Sequence, residues 1–576
     1  MASDNFEWMK ANEPQSLGDY SPYVDKQYTA YINDINNGVY ANNSLTLVNF
    51  DLGQIYNSNK YLDTSDLYCV LPITMVAAYR AGNNLVAPVP GSAALCSIKT
   101  NFLNLIHQCD LTVNGKTIES TTSFINVARH FQLASEMSIN DLATIGPTLG
   151  FAPTGLDSVK SMRFNATAGA GGTSGNGLTN NRFIGTGENQ INISTAQNTG
   201  VGNAATQYKI GRYIDMTDAA STDNNIAAIV STQNLAAEYR PYHVRSGNYM
   251  IWYDFAVIRL SHLFESLGKF GLLHRFDASI RLWVNTGTVN VTVANPNSTT
   301  GNLAYSLTTV NNTFSNTCPL MINYLPGTSA AGGIPANVDG IVAGLYIARP
   351  PTTSFNTVNL SLSAAAHPLL NCRLYYSQIE VKPALGTKYS LENTAKKIVY
   401  RGVTSSQYNN IPSNSTFNQL INAGVSHPTG VLIVPFLAPQ TTQGFGDSQW
   451  KSPFDSCPAT TCPVPLTNLQ VSVGGQNILA STLFSTYENF ISQVNLAEQL
   501  TSSDFGVSTG LINQPYWEWS RYYFVNVERS NDADKLVARN INISFLNTSL
   551  LPIDCMVFVF YSDELTINVN TGIIDK

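Results

Sequence analysis

In two stretches of this chain apolar side chains alternate with polar ones and then give way to helix-like spacing, and the two stretches match each other. Residues 111–131 read LTVNGKTIESTTSFINVARHF, and residues 471–491 read VSVGGQNILASTLFSTYENFI. Leu111 and Val113, like Val471 and Val473, keep the two-residue period of a half-buried strand. Asn114 and Gly115 come next in the first copy, Gly474 and Gly475 in the second, and such pairs accept the positive φ of a two-residue hairpin turn. Beyond the turn Ile118 matches Ile478 and Thr122 matches Thr482, and a helix-like segment with aromatic anchors continues each copy. The spacing is constant: 360 positions separate Leu111 from Val471 and Thr122 from Thr482.

Later strands keep the same order in both halves. After the first copy come an aromatic strand at 249–255 and an alternating one at 280–284; after the second come 516–524 and 541–545. From Phe131 to Tyr249 is 118 positions, but from Ile491 to Tyr516 only 25, so the first half carries an outgrowth. Residues 151–240 supply it, and their Gly, Asn and Thr, dense around Gly169–Gly177, are loop composition. A second Gly/Asn-rich excursion occupies 294–339.

Further strands are expected at 44–50, 67–71, 73–79, 98–113, 276–293 and 341–348, and then at 374–381, 397–403, 430–437, 469–479, 517–529, 536–546 and 555–569. Short helices are expected at 123–137 and around 260–267. Many short strands with helices confined to the connections predict a mainly β chain: two tandem antiparallel jelly-roll β-sandwiches, the first with large loop insertions. The predicted division is an N-terminal arm at 1–36 that orders on a neighbour, a first roll at 37–351, a linker at 352–366 and a second roll at 367–576.

Length agrees, since 576 residues exceed what one core usually supports. Charged residues make up only 12% of the chain, about half the usual share, and the net charge is −7 with no basic run longer than two. Nucleic-acid binding through phosphates needs a basic patch, so direct genome binding is not expected. No signal-peptide pattern opens the chain and no eighteen apolar residues run together, which disfavours secretion and membrane spanning. The eight cysteines are thinly spread and read as buried thiols; the one close pair, Cys457 and Cys462, reads as a loop feature or local disulfide rather than a zinc site.

Patterns that could carry catalysis are few. Gly506–Gly510 matches the Gly-x-Ser-x-Gly string, but it lies in a polar setting with Pro515 close behind, so a loop is expected. Gly169–Gly177 lacks the Lys and helix start of a phosphate cradle. His130, and His262 with Glu265, are candidate ligands or bases that read better as packed residues. Glu188, Asp215, Asp218, Asp223 and Asp339 are carboxylates available to Ca²⁺, without the spacing of an EF-hand. Asn165, Asn192, Asn414 and Asn542 head Asn-x-Ser/Thr triplets that read as accidental. Tyr516, Trp517 and Trp519 form a cluster expected to pack rather than stack on a sugar. No enzymatic activity is expected, and no catalytic, cofactor-binding or metal residue is assigned.

Three runs, PYVDKQYTAYINDINNGVYANNSLTLVNFDLGQIYNS (22–58), TVNGKTIESTTSFINVARHFQLASEMSINDLATIGPTLGF (112–151) and YDFAVIRLSHLFESLGKFGLLHRFDASIRLWVN (253–285), resemble the major capsid proteins of polinton-like viruses and virophage-related double-stranded DNA viruses. They cover about a fifth of the chain, all in its first half. The resemblance implies two upright jelly rolls side by side and a homotrimeric, pseudo-hexagonal capsomer that tiles an icosahedral shell. Neighbouring capsomers, penton proteins and minor or cement proteins are the partners it implies, and the virion, assembled inside the host cell, the location. Two rivals share the composition. A carbohydrate-binding adhesin or spike would need an exposed aromatic platform, and a β-sandwich glycoside hydrolase would need two facing carboxylates, for which Glu488 and Glu518 are the pair to inspect.

Overall fold

The computed structural model describes residues 24–42, 44–56, 60–82, 84–86, 94–99, 101–120, 123–149, 214–215, 242–246, 249–294, 306–314, 316–324, 340–350, 367, 369–383, 395–421, 424–439, 448–451, 453, 464–482, 486–497, 510–514, 517, 521–528, 540–549 and 551–575. Most of the 151–240 outgrowth, the 352–366 linker, residues 1–23 and the Cys457/Cys462 pair therefore lie outside the described residues. The fold is mainly β, and every strand pairing among the described residues is antiparallel.

The first half opens with β1 (Val24–Asn33), β2 (Leu45–Asp51), the 21-residue β3 (Tyr61–Ala81), β4 (Ile106–Val113) and β5 (Lys116–Ser120). Helix α1 (Ile125–Glu136) comes next, then β6 (Tyr249–Arg259), helix α2 (Glu265–Phe270) and β7 (Ala278–Asn285). They are succeeded by β8 (Gly287–Ala294), β9 (Ser306–Asn312), β10 (Gly340–Ile347) and β11 (Arg373–Val381). The second half consists of β12 (Ala395–Ile411), β13 (Thr416–Ile421), β14 (Pro428–Leu437), β15 (Leu466–Val473), β16 (Gln476–Asn477), α3 (Tyr487–Leu496), β17 (Tyr523–Asn526), β18 (Ile541–Asn547) and β19 (Ile553–Asn568).

Two four-stranded sheets carry the same order in the two halves: β2-β7-β4-β5 and β13-β18-β15-β16. Their registers agree beside the hairpins, where Leu111 opposes Ile280 as Val471 opposes Ile543 and Val113 opposes Ala278 as Val473 opposes Ile541. Where the β4 and β15 hairpins turn, Asn114 N donates to Asp277 O (2.8 Å) and Gly474 N to Asn540 O (2.9 Å), one bond made twice. The opposing sheets match as well, with β1-β11-β3-β6 in the first half and β12-β19-β14-β17 in the second. Inward positions on all of them are apolar and buried, including Leu111, Ile280 and Leu282 in one core and Val471, Ile543 and Phe545 in the other.

Three boundaries differ from expectation. Residues 24–33 are not a free arm: they form β1, paired along its length with β11 of the same chain. Strand β11, assigned from sequence to the second roll, is bonded to β3 in the first half: Leu374 is buried on one side of a register shift between Tyr375 and Ser377, Tyr376 at the shift and Ile379 on the other side. The 294–339 excursion is also partly regular: β8 and β9 form a hairpin joined through β10 to the upper part of β3, and Leu320–Tyr324 pairs with Ala94–Ile98.

Leu111 is fully buried against Ile280. Leu111→Ala is expected to cost about 2–5 kcal/mol by denaturant-induced unfolding.

Candidate functional site: the seam between the halves

Side chains from the two halves meet along the outer edge of β12. An edge strand has unpaired backbone groups that need partners, and here α2 supplies them. Lys269 Nζ donates to Val399 O (2.8 Å), and the Glu265 carboxylate accepts from Arg401 N (3.2 Å). The Arg401 side chain returns to the first half, with Nε 2.8 Å from Glu265 Oε2 and Nη2 3.4 Å from Glu136 Oε1 at the end of α1. Lys269 is 2.5 Å from Glu265 one helical turn away. The Tyr400 hydroxyl donates towards Ile118 O (3.0 Å) and Asp563 Oδ2 (2.8 Å), and Ser405 Oγ donates to Ser123 O (2.7 Å).

Aromatic packing continues the seam. The Phe131 ring on α1 lies 6.4 Å from Phe490 on α3, 5.3 Å from Tyr522 and 5.8 Å from Phe524. Phe124 meets Trp450 at 6.1 Å. At the end of α1 the second-half backbone comes so close that only glycine fits: Gly510 has φ +57°, and a Cβ there would run into the Ala134 and Ser135 carbonyl oxygens. Leu511 N donates to Ala134 O beside it (2.7 Å). At the other end Lys116 Nζ donates to Ile574 O (2.8 Å), and Asn114 Nδ2 to Gly572 O.

The charges are distributed unevenly. Burial pushes the Glu265 carboxyl up, but Arg401 and Lys269 more than offset this, and it titrates below its ordinary value. Glu119 on β5 is deeper: burial pushes its carboxyl up against the pull of Arg129, 3.8 Å away, while Ser266 N donates to it (2.8 Å). His262 is pushed down to about 4 by its burial and by nearby Arg259 and Arg129. His107, packed edge-on against Phe124 at 5.0 Å, is likewise pushed down to about 4 by burial.

Several residues singled out in the sequence take structural positions. His130 is buried, with its Nδ1 2.7 Å from Asn101 Nδ2. Glu265 is engaged by Arg401 and Lys269. Trp517 is buried, donates from Nε1 to Tyr522 O (2.7 Å) and lies 5.8 Å from Phe490, which leaves no platform for a sugar at that residue. Asp215 lies on the short strand Ile214–Asp215, paired with Leu95. Asn414 takes a positive φ of 51° in the β12–β13 turn, and Asn542 lies in β18. Glu488 stands exposed in the first turn of α3. Cys69, Cys109, Cys318, Cys372 and Cys555 are buried free thiols, with Cys69 pushed up to about 12 by burial. Glu188, Asp218, Asp223, Asp339, Asn165, Asn192, Gly169–Gly177, residues 506–509, Tyr516, Glu518 and Trp519 lie outside the described residues. Among the described residues no three His, Cys, Asp or Glu side chains gather as metal ligands.

Sequence reasoning did not find Arg401, Lys269, Glu136 or Tyr400. Their partners across the seam lie more than a hundred positions away in the chain, and the only local spacing among them, Glu265 to Lys269 on α2, does not point across it.

Three solved structures align with nearly all of this chain. A chain of the Sputnik virophage structure, determined by cryo-electron microscopy, has 8% identity and a TM-score of 0.43, covering 98% of this chain and 91% of that one. The mavirus major capsid protein has 10% identity and a TM-score of 0.43, covering 98% and 92%. The faustovirus major capsid protein has 9% identity and a TM-score of 0.40, covering 96% and 93%. No family model matches the sequence, and no curated protein sequence is similar to it.

Two outcomes test the seam. Gly510→Ala is expected to lower stability by more than about 1 kcal/mol, because the new Cβ meets backbone and the positive φ is retained; calorimetry of the full chain checks this. His107 is neutral in the fold and gains a proton when unfolded, so its contribution is complete above about pH 6.5 and is lost as pH falls towards 4. Thermal melts between pH 7 and 4 are expected to fall less steeply for His107→Gln than for the parent, by about 2–4 kcal/mol at the acid end.

Proposed function

We propose that this chain is the major capsid protein of a double-stranded DNA virus, built from two tandem jelly rolls and acting by self-association. The observation that carries the reading is the repetition: two pairs of sheets with the same strand orders and the same register, β4 against β7 and β15 against β18, joined along a buried seam. A chain with two near-equivalent bodies offers six such bodies when three copies close a ring, and six-sided units tile a surface. The sequence resemblance in the first half points the same way.

On this reading the first roll runs from β1 to β11 and the second from β12 to the C-terminal hairpin. Three chains form a pseudo-hexagonal capsomer, and capsomers tile an icosahedral shell with penton and minor or cement proteins at its special positions. The virion is the site of function, after assembly inside the host cell. No enzymatic step is required, and the low surface charge suits contacts between protein copies rather than a grip on phosphate.

Sedimentation velocity of the purified chain, with electron microscopy of the same sample, tests the proposal. Trimers of hexagonal outline are expected. A monomer that persists at every concentration, pH and salt condition overturns the reading.

A further inference from the structure

We propose that β1 in one copy, which has no strand on its outer edge among the described residues, is covered by the exposed stripe of helix α3 of a second copy, repeating between chains the contact that β12 makes with α1 through Arg401 and Glu136 inside one chain. This rests on the capsomer reading and assigns the residues of its contact.

The inference starts from an inequality between twins. Strands β1 and β12 hold the same place, each outermost in its sheet and bonded to one neighbour, β11 or β19. The edge of β12 is satisfied: Val399 O and Arg401 N are bonded by Lys269 and Glu265 from the first half. Among the described residues β1 pairs with β11 alone, and it exposes Tyr28 (37%) and Tyr31 (48%). Tyr31 heads a cross-strand row with Tyr375 and Tyr68, its ring centroid 5.5 Å from that of Tyr375, which stacks on Tyr68 at 5.0 Å. Arg373 lies 4.5 Å over the Tyr31 ring. Tyr375 stacks on Tyr68, and Tyr31 is held between Tyr375 and Arg373, so the row is a stiff aromatic surface of the kind that binds protein at low entropic cost.

The helices show the complementary inequality. In α1 every residue but Leu133 and Glu136 is buried, because the second half lies over it. In α3, which sits at the same place after its own hairpin, only Phe490, Gln493 and Val494 are buried. Glu488, Ser492 and Leu496 are spaced four residues apart and therefore share one face, from which Leu496 stands 61% exposed. Leu496 lies 360 positions from Glu136, the residue through which α1 reaches Arg401. Single exposed apolar residues are ordinary on a protein surface. Leu496 holds the α3 position that corresponds to Glu136 of α1, and Tyr31 stands on the strand that corresponds to β12, so the two lie on the two elements that meet in the internal seam. A head-to-tail contact of this kind closes into a ring when each copy repeats it, so the occupant is a second copy of this chain.

The test uses the full-length chain and the variants Tyr31→Asp and Leu496→Asp, with Tyr31→Phe as a conservative control. Each Asp variant is expected to raise the dissociation constant of the trimer at least about tenfold in sedimentation velocity, with the parent's thermal melt retained, and Tyr31→Phe to assemble as the parent does. Hydrogen exchange of the unaltered chain, taken below and above its assembly concentration, is expected to slow at both 24–33 and 486–497. A trimeric parent whose Asp variants assemble with unchanged affinity, or whose two segments gain no protection, overturns this contact and leaves the capsomer reading in place. A parent that never assembles removes both.

Discussion

A sheet edge is a row of amides and carbonyls without partners, and the fate of the edge at β12 determines how the two halves of this molecule relate. Among the described residues no further strand pairs there. The fold supplies side chains instead, an ammonium for the carbonyl of Val399 and a carboxylate for the amide of Arg401. Charged partners make stronger hydrogen bonds than neutral ones, but they must be held in place and compensated. Arg401 does this by lying between Glu265 and Glu136, so that one guanidinium holds a strand edge, a helix start and a helix end together. The aromatic contacts around Phe131 and the close backbone approach at Gly510 lie along the same seam.

The repeated hairpins were legible because they are local. Alternation, turn chemistry and the constant spacing predict β4, β5, α1 and their counterparts, and the structure has them at 106–136 and 466–496. What was not legible depends on pairing across long distances. Nothing in the composition of 24–33 distinguishes an outermost strand from a free arm, since a strand so largely exposed looks polar in either case. Strand β11 lies far along the chain from β3, so its membership of the first sheet is visible only in its register with that strand. The seam was illegible for the same reason.

Polar residues in the first core tell a similar story. Asn104, Asn126 and Asn285 are fully buried, and Asn126 Nδ2 donates to Thr317 Oγ1 (2.7 Å) and to Asn104 Oδ1 (3.2 Å). In a chain so rich in Asn these positions look like surface. Their burial ties the turn before β4, the start of α1, the end of β7 and the 316–318 segment into one node, at a place where a purely apolar core would hold those ends less specifically.

Strand β3 serves two masters along one edge. Residues 61–70 bond to β11, residues 73–80 bond to β10, and Pro72, which has no amide to offer, stands at the handover while its carbonyl accepts from Ala348 N (2.9 Å). The first stretch is thereby joined to β11 and β1, and the second to β10, β8 and β9. A change in the length of β8, β9 or β10 meets β3 only beyond that proline, and leaves the pairing of residues 61–70 with β11 untouched.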